Sequence, residues 1–124
     1  MSPDLISILV IASRVLVGGY FLVTGLRNTR KIAAIAGLMS VKVPMPNGAV
    51  AFGVAMQIVG GAMVVFGLWP ATGATILIVF TVIALALYHD FWKYTGEEQI
   101  KHFNFVMSGL AYIGGLLAII ALSP

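Results

Sequence analysis

Four apolar runs joined by more polar connections dominate this chain of 124 residues. They cover residues 5–26, 47–69, 71–88 and 103–122. Each run is about 18–23 residues long, which is enough for a helix to cross the hydrocarbon core of a bilayer. The strict alternation of β-barrel strands is absent. Only 9% of the residues are charged, against about 25% in soluble domains. The sequence therefore predicts a single all-α membrane domain, a four-transmembrane-helix bundle.

The connections refine this prediction. The first, from Arg27 to Pro46, is long, and its middle carries apolar residues on one helical face beside a basic end. This face is formed by Ile32, Ile35, Ala36 and Met39. The pattern predicts a short interfacial helix over about residues 29–39, between spans one and two. The second connection, around Trp69-Pro70, is so short that spans two and three are predicted to form an antiparallel pair.

Basic residues are concentrated in two connections, which predicts the orientation. The first connection contains Arg27, Arg30, Lys31 and Lys42, and the third contains Lys93 and Lys101. By the positive-inside rule, residues 27–46 and 89–102 are expected in the cytoplasm and both termini outside. These charges flank membrane segments, so the net charge of +3 indicates lipid rather than nucleic acid as the partner.

Arg14 is the only charged residue within the first run, and a buried guanidinium is costly in lipid. Arg14, Gln57 and Tyr112 each lie about nine or ten residues from an end of their run, so all three are expected near mid-depth. We predict that they form a cluster, and one role for it is to bind a polar ligand group, such as a quinone carbonyl or a substrate carboxylate. Two alternatives are that they only hydrogen-bond between helices, or that Arg14 snorkels to a lipid headgroup.

Two histidines flank the third connection. His89 and Asp90 follow the third run, and His102 lies at the start of the fourth. A histidine beside a carboxylate is suited to proton exchange, and the alternative is anchoring at the interface. No third ligand accompanies the histidines and the chain has no cysteine, so no metal site is predicted and haem is disfavoured.

Small residues recur along three of the runs at helical spacing. They are Gly18 and Gly25 in the first run, Gly53, Gly60 and Gly61 in the second, and Gly109, Gly114 and Gly115 in the fourth. Glycine lets helix backbones approach closely in lipid, so these positions are predicted to be helix contacts.

The order of these residues resembles the DoxX family of small four-helix bacterial membrane proteins. The resemblance rests on Arg14…Gly18…Gly25…Lys31, on Gln57-Ile58-Val59-Gly60-Gly61 followed by Gly67 and Pro70, on His89-Asp90-Phe91-Trp92, and on Gly114-Gly115-Leu116-Leu117. The family commonly has Glu where this chain has Gln57, and Lys-Asn where it has Ser108-Gly109.

The resemblance implies a bacterial inner-membrane protein associated with quinone-linked oxidoreduction or oxidative-stress complexes. The first hypothesis is a subunit of a membrane oxidoreductase complex that holds a quinone or another polar-headed lipophile near Arg14. The second is a structural or assembly accessory subunit without ligand chemistry, and the third is a small enzyme acting on a lipophilic substrate. A non-catalytic role is favoured, because proton chemistry usually needs a base and the four apolar runs contain no acidic residue. The expected partners are the lipid bilayer and either other membrane subunits or further copies of this chain.

Overall fold

The computed structural model describes residues 1–40, 42, 44–88 and 91–123, with the backbone alone at Met39, Tyr88 and Phe91. The helices are α1 (Pro3–Asn28), α2 (Ile32–Met39), α3 (Pro46–Phe66), α4 (Pro70–Tyr88) and α5 (Gly96–Ala121), and a 3₁₀ turn at Phe91–Lys93 precedes α5. The described residues contain no strand. Four of these helices are long and apolar enough to span a bilayer. The prediction of an all-α membrane bundle with a short helix between spans one and two is confirmed.

Local signals explain where α1 begins. The Ser2 hydroxyl accepts a hydrogen bond from the Leu5 amide (3.2 Å), Pro3 occupies the first turn, and Asp4 adds a negative charge there. The hydroxyl satisfies one of the free amides at the helix start. Proline has no amide to lose, and the carboxylate complements the positive end of the helix dipole.

The long helices form a ring in which each neighbouring pair is antiparallel. Helix α1 packs on α3, α3 on α4 and α4 on α5, and a smaller contact joins α5 back to α1. The predicted antiparallel pair of spans two and three is thus α3 and α4. One core cluster lies inside the ring and contains Phe21, Val64, Ala74, Leu77, Leu116 and Ile119.

Glycines set the distance between α1 and α3. A Cβ added to Gly61 would lie 2.8 Å from the Leu22 amide nitrogen and 2.9 Å from the Gly18 carbonyl oxygen. Both neighbours are backbone atoms, which cannot rotate away. The predicted close contacts are confirmed at Gly18, Gly25, Gly53, Gly60, Gly61 and Gly109, whereas Gly115 makes only an ordinary contact with Val17 (3.5 Å) and Gly114 faces open space.

These contacts impose a large stagger on α1 and α3. Gly18 lies against Val64, and Gly25 lies against Gln57. Continuing in the same register, Arg14 lies against Gly67, just after the last residue of α3. The first part of α1 therefore runs past the end of α3 by about 11 residues, or roughly 16 Å at 1.5 Å per residue. At the other end, α3 runs past the end of α1 by a similar length.

Helix α2 lies beyond the C-terminal end of α1, against the first half of α3. Ala36 is buried with Val50 and Val54 of α3, and Ile32 and Ile35 pack against the same cluster. Its apolar face is therefore covered by α3. This face was predicted to include Met39, whose side chain lies outside the described residues.

We predict that Gly61→Ala lowers the free energy of unfolding by about 1–3 kcal/mol, the usual cost of overpacking. The added methyl group would press on the backbone of α1. Gly19→Ala is the matched control, because a Cβ there meets nothing within 4 Å. Unfolding in mixed micelles measures both variants, and equal destabilisation would contradict the close α1–α3 contact.

Candidate functional site

Arg14 lies at the turn that joins α3 to α4. Its Nη1 is 3.0 Å from the position that a Cβ on Gly67 would occupy, and Gly67 has a left-handed φ of 70°. The guanidinium is therefore packed against the C-terminal end of α3, where the helix dipole favours a positive charge. Its Nε is buried without a hydrogen-bond partner among the described residues.

Gln57 lies far from Arg14. It is 4% exposed, and its Oε1 accepts a hydrogen bond of 3.2 Å from Nδ2 of Asn28, the last residue of α1. Gln57 also contacts Gly25, which is about 11 residues or roughly 16 Å along α1 from Arg14. The predicted cluster of Arg14, Gln57 and Tyr112 is wrong. Counting depth from the end of each apolar run assumes helices that begin level with one another, and α1 and α3 are staggered.

Gln57 and Tyr112 nevertheless share a site. Both line a half-open cavity of about 450 Å³, to which all five helices contribute residues, and this volume is within the usual range for small-molecule pockets. The cavity lies in the half of the bundle where α1 ends, which we call the basic end because Arg27, Arg30, Lys31 and Lys42 follow there. Its walls are mainly apolar, with Val50, Val54, Phe80, Ile83 and Leu85 among the lining side chains.

Helix α1 contributes a row of polar side chains to this cavity. Tyr20, Thr24 and Asn28 all line it, and a spacing of four residues places them on one helical face. The site residues predicted from the sequence do not include this row, although its period of four within an apolar run is visible there. The row turns one side of an otherwise hydrophobic cavity into a polar wall.

The Asn28–Gln57 pair leaves unused hydrogen-bond donors in that wall. Two carboxamides carry four N–H bonds and two carbonyl oxygens. Their mutual bond uses one N–H and one carbonyl lone pair. Three N–H bonds therefore remain, whichever way the two amides are oriented. Carbonyl or carboxylate oxygens complement such a donor-rich wall.

Aromatic rings close the cavity on the side of the main core. The rings of Tyr20 and Tyr112 are 4.6 Å apart between centroids, and Phe21 contacts Tyr112 at 5.8 Å and Phe80 at 6.4 Å. The Tyr20 hydroxyl lies near those of Tyr112 and Thr24. Flat rings with hydroxyl tips are suited to contact both the face and the polar edge of a planar ligand.

Thr81 also lines the cavity, but its hydroxyl is already engaged. It donates to the Leu77 carbonyl one turn earlier in α4, at 2.7 Å. This bond satisfies the hydroxyl within its own helix. The hydrogen-bonding capacity of the cavity is therefore concentrated on α1, Gln57 and Tyr112.

Of the predicted histidine site, the structure describes His102, which lies at the basic end and is not among the residues that line the cavity. His102 stacks on Tyr94 with 4.2 Å between ring centroids, and its Nε2 is 3.8 Å from a Glu98 carboxylate oxygen. His89 and Asp90 lie outside the described residues. Among the described residues, no group of three histidine, cysteine or acidic side chains could hold a metal ion.

Comparison with known proteins assigns the chain to a family. Residues 9–90, well over half of the chain, match the DoxX family. The protein belongs to the DoxX family. This is a membrane family often linked to oxidoreductase-related functions. No curated protein and no solved structure matches the chain. The DoxX match includes Arg14, the α1 polar row and Gln57, and it ends before α5 with Tyr112.

Engineered cysteine pairs will report the register of α1 and α3, because the chain has no cysteine of its own. We predict that a bifunctional thiol reagent with a span of about 8 Å joins Asn28→Cys to Gln57→Cys in membranes, since these side chains are hydrogen-bonded. Arg14→Cys with Gln57→Cys should stay unlinked, because these positions are roughly 16 Å apart along α1. Gel mobility after proteolysis between the helices reads out both pairs, and the reverse pattern would contradict the stagger.

Proposed function

We propose that this DoxX protein is a ligand-holding subunit of a membrane oxidoreductase system, and that its cavity binds a polar-headed lipophile of the quinone class. The observation that carries the proposal is the donor-rich Asn28–Gln57 pair in the wall of an apolar cavity of about 450 Å³. A quinone combines carbonyl acceptors, a planar ring and an apolar tail. The cavity offers a matching surface to each of these parts.

The chemistry supports holding rather than transforming a ligand. The described residues that line the cavity include neither a carboxylate nor an imidazole, and proton chemistry usually needs such a base. The carboxamide N–H groups would bind one carbonyl of the quinone. The ring would lie against Tyr20 and Tyr112, and the aliphatic walls would take the tail.

This proposal moves the ligand away from Arg14. The guanidinium lies beside Gly67, at the end of α3 opposite the basic end, and the cavity lining does not include it. Its proposed role is to stabilise the C-terminal end of α3 through the helix dipole. The cavity also accounts for a glutamine at position 57, because an amide supplies N–H donors that a carboxylate lacks.

The orientation of the protein is part of the proposal. The basic end is placed in the cytoplasm of a bacterium and the two termini on the other side of the inner membrane, by the positive-inside rule. The cavity then lies in the cytoplasmic half of the bundle. A quinone held there would exchange with the leaflet in contact with cytoplasmic dehydrogenases.

A second candidate function, as an assembly or accessory subunit, is favoured by the free end of α1. Between Pro3 and Ala12 every side chain is exposed except the half-buried Val10. This apolar stretch runs past α3 and would be covered by a helix of a larger complex. The two roles are compatible, because the free stretch and the cavity lie at opposite ends of α1.

Filling the cavity tests the ligand-holding function. Ala84 lines the cavity, whereas Ala86 on the same helix is exposed. We expect Ala84→Phe to abolish binding of a short-chain benzoquinone and Ala86→Phe to leave its Kd unchanged. Quenching of intrinsic fluorescence in detergent gives the Kd. If both variants lose affinity, or if neither does, the cavity is not the binding site. The quinone then binds elsewhere on the protein or does not bind to it.

Removing the amide donors tests the recognition of the ligand. Gln57→Leu should weaken quinone binding by about two- to tenfold, the usual worth of one or two neutral hydrogen bonds. The matched control is Thr81→Val, because the Thr81 hydroxyl is bonded to its own helix and has no donor to offer. If Thr81→Val weakens binding as much as Gln57→Leu, the loss reflects repacking of the cavity and not a lost hydrogen bond.

A further inference from the structure

A second concave surface lies outside the bundle, where α1 turns towards α2. It has a volume of about 500 Å³ and is lined by Val23, Leu26, Arg27, Arg30 and Lys31. We call it the basic groove. Among the residues that the structure describes, it shares no lining residue with the quinone-class cavity, and it takes no part in the function proposed above.

A tight turn brings the three cations of the groove together. The Arg30 amide donates to the Arg27 carbonyl (3.3 Å), and the Lys31 amide donates to the Asn28 carbonyl (2.9 Å). These bonds fold the chain back at the end of α1, so Arg30 and Lys31 lie beside Arg27. Among the described residues, none of the three is in an ion pair with a carboxylate. Mutual repulsion of the three charges remains to be offset by an anion.

The opposite wall of the groove is apolar and open. Val23 and Leu26 are 57% and 53% exposed; Val23 lies about one turn of α1 before Arg27 and Leu26 directly before it. Along the helix axis, the groove therefore passes from the aliphatic Val23 to the guanidinium of Arg27 within about 6 Å, one turn at 1.5 Å per residue, with Leu26 beside Arg27. A lipid has the same order of parts, with acyl chains followed by a phosphate.

We propose that the basic groove binds one anionic phospholipid of the leaflet at the basic end. Arg27, Arg30 and Lys31 would hold the phosphate and its neighbouring headgroup oxygens, since guanidinium groups bind phosphate through paired N–H bonds. Val23 and Leu26 would contact the start of an acyl chain. The apolar wall favours a lipid over a soluble phosphate, and three unneutralised cations favour an anionic lipid over a zwitterionic one.

This lipid and the cavity ligand would contact different faces of α1. The cavity row has Asn28 at the end of the helix, and the groove has Arg27, one residue or about 100° of helix rotation away. Helix α1 thus separates an annular lipid from the interior of the bundle.

Lipid selectivity of the delipidated protein tests the proposal. Native mass spectrometry should show one retained phosphatidylglycerol per chain when the protein is offered equal amounts of phosphatidylglycerol and phosphatidylcholine. Lys31→Gln should lower this preference by about fivefold, and Arg27→Gln with Lys31→Gln by about 25-fold, if each charge contributes about 1 kcal/mol. The matched control is Lys101→Gln, which removes the same charge from the same end of the protein outside the groove.

Any of three other outcomes would overturn the proposal. Equal losses in Lys31→Gln and Lys101→Gln would show that overall charge, not the groove, attracts the lipid. Displacement of the lipid by millimolar glycerol phosphate would identify a soluble-phosphate site. Equal retention of phosphatidylcholine would show that the groove does not select anions. Arg27 and Lys31 are exposed, so we expect the variants to fold normally. Thermal unfolding in lipid-free detergent verifies this.

Discussion

The backbone contact between α1 and α3 determines the rest of this structure. Gly61 and Gly18 let the two helices touch through main-chain atoms, and such a contact fixes the register as well as the distance, because no side chain can adapt to a shifted position. In this register, Arg14 meets the end of α3 at Gly67, and Asn28 meets Gln57. The positions of Arg14 and of the Asn28–Gln57 pair are therefore determined by the glycine contacts between α1 and α3.

The cavity is a consequence of the same register. Helix α1 ends beside Gln57 while α3, α4 and α5 continue, and the eight-residue helix α2 only partly replaces it. Where α1 ends, Asn28 is hydrogen-bonded to Gln57 and both line the cavity. Space, donors and aromatic rings thus come together at one level of the bundle, and the main core on the other side of Phe21 is filled by aliphatic side chains.

The sequence predicts those features that depend on one helix at a time. Run lengths predict the four spans, and the spacing of Gly18, Gly25 and Gly61 predicts which faces touch. The relative height of two helices depends on contacts between them, and no single run contains that information. For this reason Gln57 was predicted beside Arg14. The row Tyr20, Thr24 and Asn28 was readable from its period, but nothing in the sequence showed that a cavity faces it.

The spanning helices also differ in length, so the molecule has two hydrophobic lengths. Helix α1 has 26 residues and α4 has 19, which correspond to roughly 39 and 28 Å at 1.5 Å per residue. A bilayer of uniform thickness cannot match both, so α1 must tilt, or the surrounding lipid must thicken on one flank of the protein and thin on the other. Such deformation costs only fractions of a kcal/mol per ångström, but it differs between the flank that carries α1 and the flank that carries α4. The protein therefore has a preferred side for neighbours whose helices are as long as α1.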